Sequence, residues 1–504
     1  MGSHIPLSLS RIQNPGFGRL ARLSIAIFIV GLYLAIPARN FYWDGIAFAQ
    51  TIENAARWPL LLHANHLLYN VLGWVFYHAL GGRVRAVYVL QAIDSVFAAA
   101  AFYLLSGIVA RVTSSIGIAL LLGAFFAFSG TWWRFAVDAD AYIPSVTLLI
   151  ACASLLPTDR KPRIVPAALL HSGAMLLHQL AVFFFPAVLV LLWRQQTSRR
   201  LRRCVLYVAV AGGTTLAAYI GAFSVQSGGF SFDSFGAWIT SHSEDVAFSF
   251  SPVHNLAVSL RSWIQVLVAG RPGLVHYSDP LTIILLAVCA SALASLLIAI
   301  RRGPRPSIAI YHRTLFVFAA SWIAAYAVFL FFWLPHNTFY KLFALPGIVL
   351  LIASCWKPGP SPIAPLFVAL LALCNLTFAI IPYSRATANE AVAFALSIEQ
   401  HLASGSTVYY SDLNTDDWLV RYFNPQTTWR QVASPADIHS GDGAAWLDTT
   451  AIDRFSRSDP AWFEKRTRHA EWRELVNAKH RIRFVRLPPL TTESDAERTA
   501  PRAP

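Results

Sequence analysis

The chain has 504 residues, of which 56% are hydrophobic and only 13% charged, and its mean hydropathy is +0.50. Soluble proteins carry about a quarter charged residues, so this composition excludes a soluble globular protein and indicates an integral membrane protein. The net charge of +14 comes from Arg and Lys concentrated in short loops between apolar runs. That distribution is the positive-inside pattern of a membrane protein and argues against a nucleic-acid partner.

Twelve apolar runs approach the ~20 residues that a helix needs to cross a bilayer. They lie at about 20–38, 64–80, 86–110, 115–132, 142–157, 163–177, 179–193, 204–223, 281–300, 314–334, 340–356 and 362–382. If all twelve crossed, the basic loops at Arg160, "RQQTSRRLRR" and "RRGPRPSIAIYHR" would face outward. If 64–80 does not cross, these loops face the cytoplasm, at the cost of moving Arg83 and Arg85 to the outer side. We therefore expect eleven spans with a cytoplasmic N-terminus.

The run 64–80 also has the character of an interfacial segment. It is short and opens with His63, Asn65 and His66. Helical spacing predicts a polar stripe along it, formed by His63, His66, Asn70, Gly73 and Tyr77. A helix of this kind suits the membrane surface.

The segment after residue 383 alternates predicted helices and strands. "AVAFALSIEQHL", "NTDDWLVRYF" (with Asn414 as N-cap) and "DPAWFEKRTRHAEWRELV" are predicted helices, and "STVYYSD", "TTWRQV", "GAAWLDT" and "RIRFVRL" are predicted strands. We expect a small α/β domain at 384–490 and a disordered tail at 491–504. The predicted fold class is a mainly α polytopic membrane protein with about eleven transmembrane helices plus interfacial helices. Its membrane domain is 1–383, with an outer loop at 39–83, and its C-terminal domain is extracytoplasmic.

The five cysteines all fall in or beside apolar segments. Their spacing predicts neither a disulfide framework nor a metal site, so we expect packing residues.

The predicted topology places several unusual polar groups on the outer side. They are Asp44, Arg134, Asp138, Asp140, His178, Gln179, His336, Asn337, Tyr340 and Lys341. The chain has only 26 acidic residues, and many of them are in the C-terminal segment. Several acids gathered at one surface of the membrane domain therefore indicate a function.

Each acidic group also has a structural interpretation. Asp44 could cap the helix that begins at "GIAFAQTIENAA", which its position alone favours, or serve as a general base or metal ligand. Asp138 and Asp140 could cap the following helix. Alternatively, their spacing of two points them to different sides of an extended loop, with one catalytic and one structural. His178 could satisfy backbone groups at a tight turn or take part in a site.

Asp94 lies within a span, where a charge costs ~2.5–3.5 kcal/mol on insertion scales. We expect it to face the protein interior, where it is protonated or pairs through Gln91, in a structural role. Cations at the outer side indicate an anionic partner such as a lipid phosphate, although headgroup anchoring accounts for several of them. They are Arg57, Arg134, Arg261, Arg271, His276 and Lys341. No P-loop, Rossmann fingerprint, HExxH or GxSxG in its context occurs, which argues against a nucleotide-driven pump.

Four segments in order resemble the C-type glycosyltransferase superfamily over roughly residues 20–382. An aspartate soon after the first span, followed by "HANHLLYNVLGWVFYHALGG", resembles its first outer loop, and "GAFFAFSGTWWRFAVDADAYIPSVTLLIACASLL" resembles its second acidic site. "HSGAMLLHQLAVFFFPAVLVLL" resembles its helical hairpin with a polar turn, and "NTFYKLFALPGIVLL" a late span opening at the active-site side. Bacterial relatives of protein O-mannosyltransferases and aminoarabinose transferases are the most similar in character. "HANHLLYN" stands where a Lys/His-Pro-Pro run is common, so the subfamily stays open.

The resemblance implies an inverting transferase of the bacterial inner membrane. It would take a sugar from a polyprenyl-phosphate donor at the periplasmic face and pass it to a glycan, lipid or protein acceptor. Asp44 would be the general base, and Asp138 or Asp140 would orient the acceptor. A divalent cation (Mg or Mn), if one is used, would be held by Asp44 and Asp138.

The resemblance also assigns the remaining groups to substrate binding. Arg134, Arg271 or Lys341 would stabilise the leaving phosphate, and His63, His66 and Asn70 would face the sugar or phosphate. His178, Gln179, His336 and Tyr340 complete the predicted substrate-binding set. Two other classes remain open, a lipid or glycolipid transporter (flippase) and a non-catalytic scaffold. Against a transporter, the chain has no evident inverted repeats or matched interrupted helices.

Overall fold

The structure is a computed structural model that describes residues 15–156, 162–195, 199–240, 248–302, 309–356, 362–386, 390–412, 417–438, 444–476 and 481–488. The chain forms two compact units, Met1–Ser384 and Arg385–Pro504. The predicted disordered tail and the predicted N-cap Asn414 lie outside the described residues.

The first unit is helical. Its helices are α1 (Pro15–Ala35), α2 (Trp43–Asn54), α3 (Tyr69–Ala79), α4 (Ala86–Thr113), α5 (Ile116–Ala127), α6 (Gly130–Ala136), α7 (Tyr142–Ser154), α8 (Ile164–Leu177), α9 (Phe185–Arg194), α10 (Arg200–Ser227), α11 (Phe232–Thr240), α12 (Pro252–Leu267), α13 (Pro280–Arg302), α14 (Arg313–Trp333), α15 (Leu345–Cys355), α16 (Ile363–Asn375) and α17 (Ile381–Tyr383). Short 3-10 turns at Gln179–Phe184 and Tyr340–Ala344 lead into α9 and α15, and a π-helical turn joins α16 to α17.

Six described helices are long and apolar enough to cross a membrane, or seven if the bent pair α5 and α6 counts as one span. Four shorter apolar segments, at Tyr142–Ser154, Ile164–Leu177, Gln179–Arg194 and Tyr340–Cys355, coincide with other predicted spans. The polytopic, mainly helical prediction is therefore confirmed, whereas the number of spans stays a prediction.

The run 64–80 contains a helix of only 11 residues, α3. At ~1.5 Å per residue this helix covers about half of a ~30 Å hydrocarbon core. The predicted polar stripe was too long, because α3 begins at Tyr69 and both His63 and His66 precede it in a turn. The backbone N–H of Leu68 instead donates to Leu176 O in α8, which ties this turn to another part of the membrane unit.

An ion pair explains one cation that broke the charge rule. Arg85 contacts Glu53 at the end of α2, with 3.0 Å between Nη2 and Oε2. Glu53 also accepts the backbone N–H of Ala86, the first residue of α4, at 2.7 Å. Glu53 thereby satisfies one of the free N–H groups of that helix, and α2 is anchored to the start of the longest buried helix of the unit.

The second unit is an α/β domain with a five-stranded sheet of order β2-β1-β3-β5-β4. Its strands are β1 (Thr407–Tyr410), β2 (Thr428–Gln431), β3 (Ala445–Leu447), β4 (Trp472–Val476) and β5 (Arg481–Arg486), and its helices are α18 (Glu390–Ser397), α19 (Asp417–Phe423), α20 (Thr449–Ser458) and α21 (Pro460–Thr467). β1 pairs in parallel with β2 and β3, and β5 pairs antiparallel with β3 and β4. The predicted helix "DPAWFEKRTRHAEWRELV" was wrong in its second half, because Trp472–Val476 pairs with β5 as a strand.

The described chain contains the five cysteines as free thiols, each buried or half-buried, in keeping with a packing role. The main core of the membrane unit gathers large side chains such as Trp132, Trp322 and Tyr326 from several helices.

Candidate active site

The acidic turn, Val137–Ala141, joins α6 to α7 and is almost fully buried. The Asp138 carboxylate accepts the N–H of Ala139 at 2.9 Å and the N–H of Tyr42 at 3.0 Å. Tyr42 is the N-cap residue of α2 and makes no side-chain cap. Asp138 therefore satisfies the start of the helix that carries Asp44. It does not cap α7, whose N-cap residue is Ala141 without a side-chain bond.

Asp44 lies in the first turn of α2, one residue past the helix start. The capping interpretation of Asp44 is therefore wrong, because the cap position belongs to Tyr42. A carboxylate in this turn does lie near the positive end of the helix dipole. Asp44 is half-buried, so its carboxyl group is within reach of a ligand.

Gly45 allows α2 to approach the acidic turn closely. A Cβ atom at Gly45 would stand 2.6 Å from the carbonyl oxygen of Ala139 and 2.9 Å from its Cβ atom. Real Cβ atoms do not come so close to backbone, so glycine is required for this contact. The contact holds Asp44 beside Asp138 and Asp140.

Asp140 differs from its neighbour in the weakness of the hydrogen bonding to its carboxylate. Its side chain is fully buried, and among the described residues neither carboxylate oxygen has a partner within hydrogen-bond distance, although the backbone N–H of Tyr142 acts on the carboxylate and opposes the rise in its pKa. Its backbone N–H donates to Asp94 Oδ2 at 2.7 Å, and the same oxygen accepts from the Tyr69 hydroxyl at 2.9 Å. Asp94 faces the protein interior as expected, but its partners are Tyr69 and Asp140. The expected partner Gln91 donates instead to Ala38 O.

The environment of these acids makes each a stronger base than usual. Burial, and then the Asp138 carboxylate, raise the pKa of Asp44 to about 7. Burial also raises the pKa of Asp138 to about 6, against the opposing effects of the Ala139 N–H and of Arg134. Burial and the nearby carboxylates of Asp44, Asp94 and Asp138 raise the pKa of Asp140. Such shifts are typical of functional sites.

A wall of aromatic rings connects the acidic turn to the start of α15. Tyr42 makes edge contacts with Phe135 and Phe339, both at 5.5 Å between ring centroids. Tyr142 stacks on Phe339 at 5.1 Å and meets Tyr340 edge-on at 5.6 Å. The wall brings together three segments distant in sequence, "FYWD", "DAYI" and "NTFYK".

The helical hairpin at His178 packs against the turn that precedes α3. The rings of His178 and His66 are 4.8 Å apart, and His178 is 4.9 Å from Tyr142. Gln179 Nε2 donates to Ala64 O at 3.0 Å. Burial and then His66 lower the pKa of His178, and its Nδ1 accepts the N–H of Leu180. His178 therefore contributes a neutral ring to the wall and satisfies a backbone group, while Gln179 is used to hold the turn.

Two predicted phosphate ligands, Arg134 and Arg271, lie near the ring of Tyr383. Arg134 lies 4.3 Å and Arg271 5.9 Å from the ring centroid of Tyr383, measured from each Cζ. Arg134 is half-buried and Arg271 exposed, and Arg134 acts on the Asp138 carboxylate. The structure thus places Arg134 next to the acidic turn and brings Arg271 to the same tyrosine ring.

Lys341 has a different environment from the one predicted. Its side chain is fully buried, and Nζ donates to Ser262 Oγ at 2.6 Å and to Pro335 O and Asn337 O, each at 2.8 Å. An ammonium group has three donors, so all are used within the protein. A role for Lys341 in phosphate binding is therefore not supported, and we assign it the structural task of holding the turn before α15.

The other predicted residues divide between the wall and the surface. Tyr340 belongs to the wall, stacked on Trp333 at 5.4 Å. Asn337 Oδ1 accepts the Tyr340 N–H, whereas His336 is exposed. Asn70 is buried in α3, with its Oδ1 lacking a partner among the described residues.

The predicted Mg or Mn site finds little support in the side chains. Within the described ranges, no three His, Cys, Asp or Glu side chains form a group that could hold a metal ion. Both oxygens of Asp138, the proposed partner of Asp44, already accept backbone N–H groups. The described residues therefore do not fit a resident metal.

Sequence reasoning missed Tyr42, Tyr142, Phe339 and Tyr383. Tyr42, Tyr142 and Phe339 each lie within two residues of a polar residue that the sequence analysis had chosen, so proximity in sequence could have found them. Tyr383 follows the last predicted span and has no such neighbour. Only the fold brings Tyr383 to Arg134.

The fold is that of known membrane transferases. The chain superimposes on ArnT from Cupriavidus metallidurans bound to undecaprenyl phosphate with a TM-score of 0.58 and 11% identity, over 94% of this chain and 98% of that one. The apo ArnT structure from the same organism gives a TM-score of 0.56 and 12% identity, over 93% and 97% of the two chains. No protein-family model matches the sequence, and neither does any curated protein. ArnT is an aminoarabinose transferase of the C-type glycosyltransferase fold, so the resemblance predicted from sequence is confirmed at the level of fold.

Proposed function

We propose that this protein is a membrane glycosyltransferase that moves a sugar from a polyprenyl phosphate to a hydroxyl acceptor. The observation that carries the proposal is the position of Asp44, a carboxyl group with a pKa of about 7, in the same acidic site as Arg134. This site lies in a fold shared with ArnT, whose structure contains undecaprenyl phosphate. Base and cation are the two groups that such a transfer needs.

The reaction is a single inverting displacement. The acceptor oxygen attacks the anomeric carbon and forms the new glycosidic bond, while its proton passes to the Asp44 carboxylate. The bond between the anomeric carbon and the phosphate oxygen breaks, and the polyprenyl phosphate leaves with the electron pair. A positioned base of this kind contributes about 10²–10⁴-fold to the rate.

The other charged groups have separate tasks. Arg134 and Arg271 stabilise the charge that develops on the leaving phosphate. Asp138 holds the start of α2 and so positions Asp44. Asp140, whose carboxylate oxygens have no close partner among the described residues, orients the acceptor by accepting a hydrogen bond from its hydroxyl group. The aromatic wall provides flat apolar surface against which a sugar ring can pack.

The charge distribution supports a proposal for the cellular setting of the site. We place the site at the periplasmic face of the bacterial inner membrane, because the basic loops then face the cytoplasm. The polyprenyl tail would lie along the spans. The acceptor is a glycan, lipid or protein that offers a hydroxyl group.

The test is the release of undecaprenyl phosphate from a panel of radiolabelled undecaprenyl-phosphate sugars, with purified protein in nanodiscs and envelope extract as acceptor. Asp44→Asn should reduce release by at least ~10²-fold. The matched control is Asp233→Asn, because Asp233 is likewise the second residue of its helix, α11, but is exposed. We expect full activity in the control.

Full activity of Asp44→Asn would reject Asp44 as the base. Movement of labelled lipid between leaflets, with no sugar released by the wild type, would instead favour the transporter alternative.

A further inference from the structure

The second unit contains a polar groove that the proposed transfer reaction does not use. The groove has a volume of about 610 Å³. Ser411 and Asp412, which directly follow β1, line one side. Thr449 and Thr450, which open α20 just after β3, line the other. The groove therefore lies where two neighbouring parallel strands end.

The strand order makes this place a topological switch point. β1 lies between β2 and β3, and all three run parallel. Tyr409 pairs with Leu447, so β1 and β3 end at nearly the same level. In open α/β sheets, ligands bind outside the carboxyl ends of strands whose connections leave in opposite directions.

The packing of the helices shows that the connections do leave toward opposite faces of the sheet. α20 contributes Phe455 to the core that contains Leu447 and Val485. On β5 the next side chain, Phe484, points to the other face and stacks on Phe394 of α18 at 6.2 Å. α19, which follows β1, ends at Phe423, and Nδ2 of the next residue, Asn424, donates to Ala395 O of α18 at 2.6 Å. The helix after β1 thus belongs to one face, and the helix after β3 to the other.

The walls of the groove are held together by hydrogen bonds. Thr450 Oγ1 accepts the N–H groups of Ser411 at 3.0 Å and Asp412 at 3.1 Å, and Ser411 Oγ donates to Thr450 O at 2.8 Å. Asp448 caps α20 by accepting the N–H of Ala451 at 2.9 Å. These hydrogen bonds therefore hold the residues after β1 and the start of α20 together along the groove.

The lining selects a polar, hydroxyl-rich ligand with a negative charge. It consists of Ser, Thr, Asp and Arg side chains and contains no apolar residue. Arg454 and Arg457 are exposed on one face of α20, three positions apart. In the described part of the chain neither guanidinium forms an ion pair. The lining acid nearest in sequence, Asp453, is already paired with Arg483 at 2.9 Å.

We infer that the groove at the ends of β1 and β3 is a second binding site, specific for an anionic sugar. Arg454 and Arg457 bind its phosphate or carboxylate, as guanidinium groups bind oxyanions in fork geometry. Asp412 and the threonine and serine hydroxyls bind its hydroxyl groups. This inference does not depend on the transfer reaction.

The test measures sugar binding to the full chain in nanodiscs by ligand-observed saturation-transfer NMR. The probes are glucose 6-phosphate, glucuronate, glucose and inorganic phosphate. We expect one or both anionic sugars to bind at least about tenfold more tightly than glucose or phosphate, because only they combine charge-assisted hydrogen bonds to the guanidinium groups with hydrogen bonds from sugar hydroxyl groups. The two anionic probes show whether the site prefers a phosphate or a carboxylate.

The double variant Arg454→Gln/Arg457→Gln should weaken this binding about tenfold or more. The matched control is Arg468→Gln, which alters an exposed arginine of the same unit in an i,i+4 pair with Glu464. Binding should also persist in Asp44→Asn, which separates the groove from the transfer site.

Three results would overturn the inference: no binding of either anionic sugar, equal binding in the double variant, or phosphate binding as tight as that of glucose 6-phosphate. The last would indicate a general anion patch. Both arginines are exposed, so the variants should keep the wild-type Tm.

Discussion

The acidic turn Val137–Ala141 and the turn Leu334–Lys341 look alike in sequence, since each places charged residues just before an apolar run and has aromatic residues within it or next to it. Their polar groups differ in how many hydrogen-bond partners the protein supplies to them. Lys341 donates all three of its N–H bonds to protein oxygens, whereas Asp140 is buried with both oxygens unpartnered in the described residues. A buried group with every partner supplied stabilises the fold. A buried group without partners is costly unless a ligand uses it.

Asp140→Asn should have the largest effect on transfer. Unchanged activity would contradict the contrast drawn between Asp140 and Lys341. We expect a loss of about 10²-fold or more, because the acceptor loses its orienting carboxylate. The Tm should change little, because the amide has the size of the carboxyl group and its oxygen can still face the backbone N–H of Tyr142. Asp138→Asn is the informative partner, since it disturbs the bonds to Tyr42 and Ala139 and should lower both activity and Tm. If Asp140→Asn kept its activity and lost its stability, Asp140 would be structural.

Gly45→Ala should reduce transfer about tenfold or more, because the new methyl group forces α2 away from Ala139. Asp44 would then be displaced from Asp138 and Asp140 although every charged group remains. Gly31→Ala in α1 is the control, since a Cβ atom there meets nothing within 4 Å. Wild-type activity in Gly45→Ala would show that the close contact does not position the base.

The pH dependence should separate activity from stability. Asp44 must be ionised to act as a base, so with a pKa of about 7 the rate should fall about tenfold per pH unit below pH 7. Its folded-state pKa lies above the unfolded value, so the stability it contributes is present at low pH and is lost as pH rises toward 7.

Rate and Tm should therefore change in opposite directions between pH 5.5 and 8. Asp44→Asn should reduce the fall in Tm over this range. A rate that is flat from pH 5.5 to 8 would contradict the assignment of Asp44 as base.

Lys341→Met should have the smallest effect on transfer and the clearest effect on stability. It removes the Nζ donor from Ser262 Oγ and from the carbonyl oxygens of Pro335 and Asn337, of which Pro335 O keeps the hydroxyl of Ser262 as a donor. Each buried unsatisfied group costs about 1–3 kcal/mol. We expect a Tm lower by several degrees by thermal unfolding, and activity per folded protein within about threefold of wild type. Arg134→Gln should give the reverse, with transfer lost and Tm kept. A selective loss of undecaprenyl phosphate affinity in Lys341→Met would restore its predicted role in phosphate binding.

The sequence by itself determined the class of protein, the apolar helices and the order of the acidic and aromatic motifs. Composition and hydrophobic runs are properties of the chain alone, because the bilayer demands long apolar helices whatever their partners. The same holds for β1, β2, β3 and β5, because their β-branched and aromatic residues favour a strand locally. The prediction from sequence was wrong at Trp472–Val476, where pairing with β5 overrode a helical pattern.

Only the tertiary structure decided which polar groups are available for chemistry. Asp138 and Asp140 were equivalent candidates in sequence, and Lys341 was as good a phosphate ligand as Arg134. The difference lies in partners that come from distant segments: Tyr42 for Asp138, Ser262 for Lys341 and Tyr383 for Arg134. Hydrogen bonds over such separations depend on how the helices pack, and a residue's own neighbours along the chain do not specify that packing.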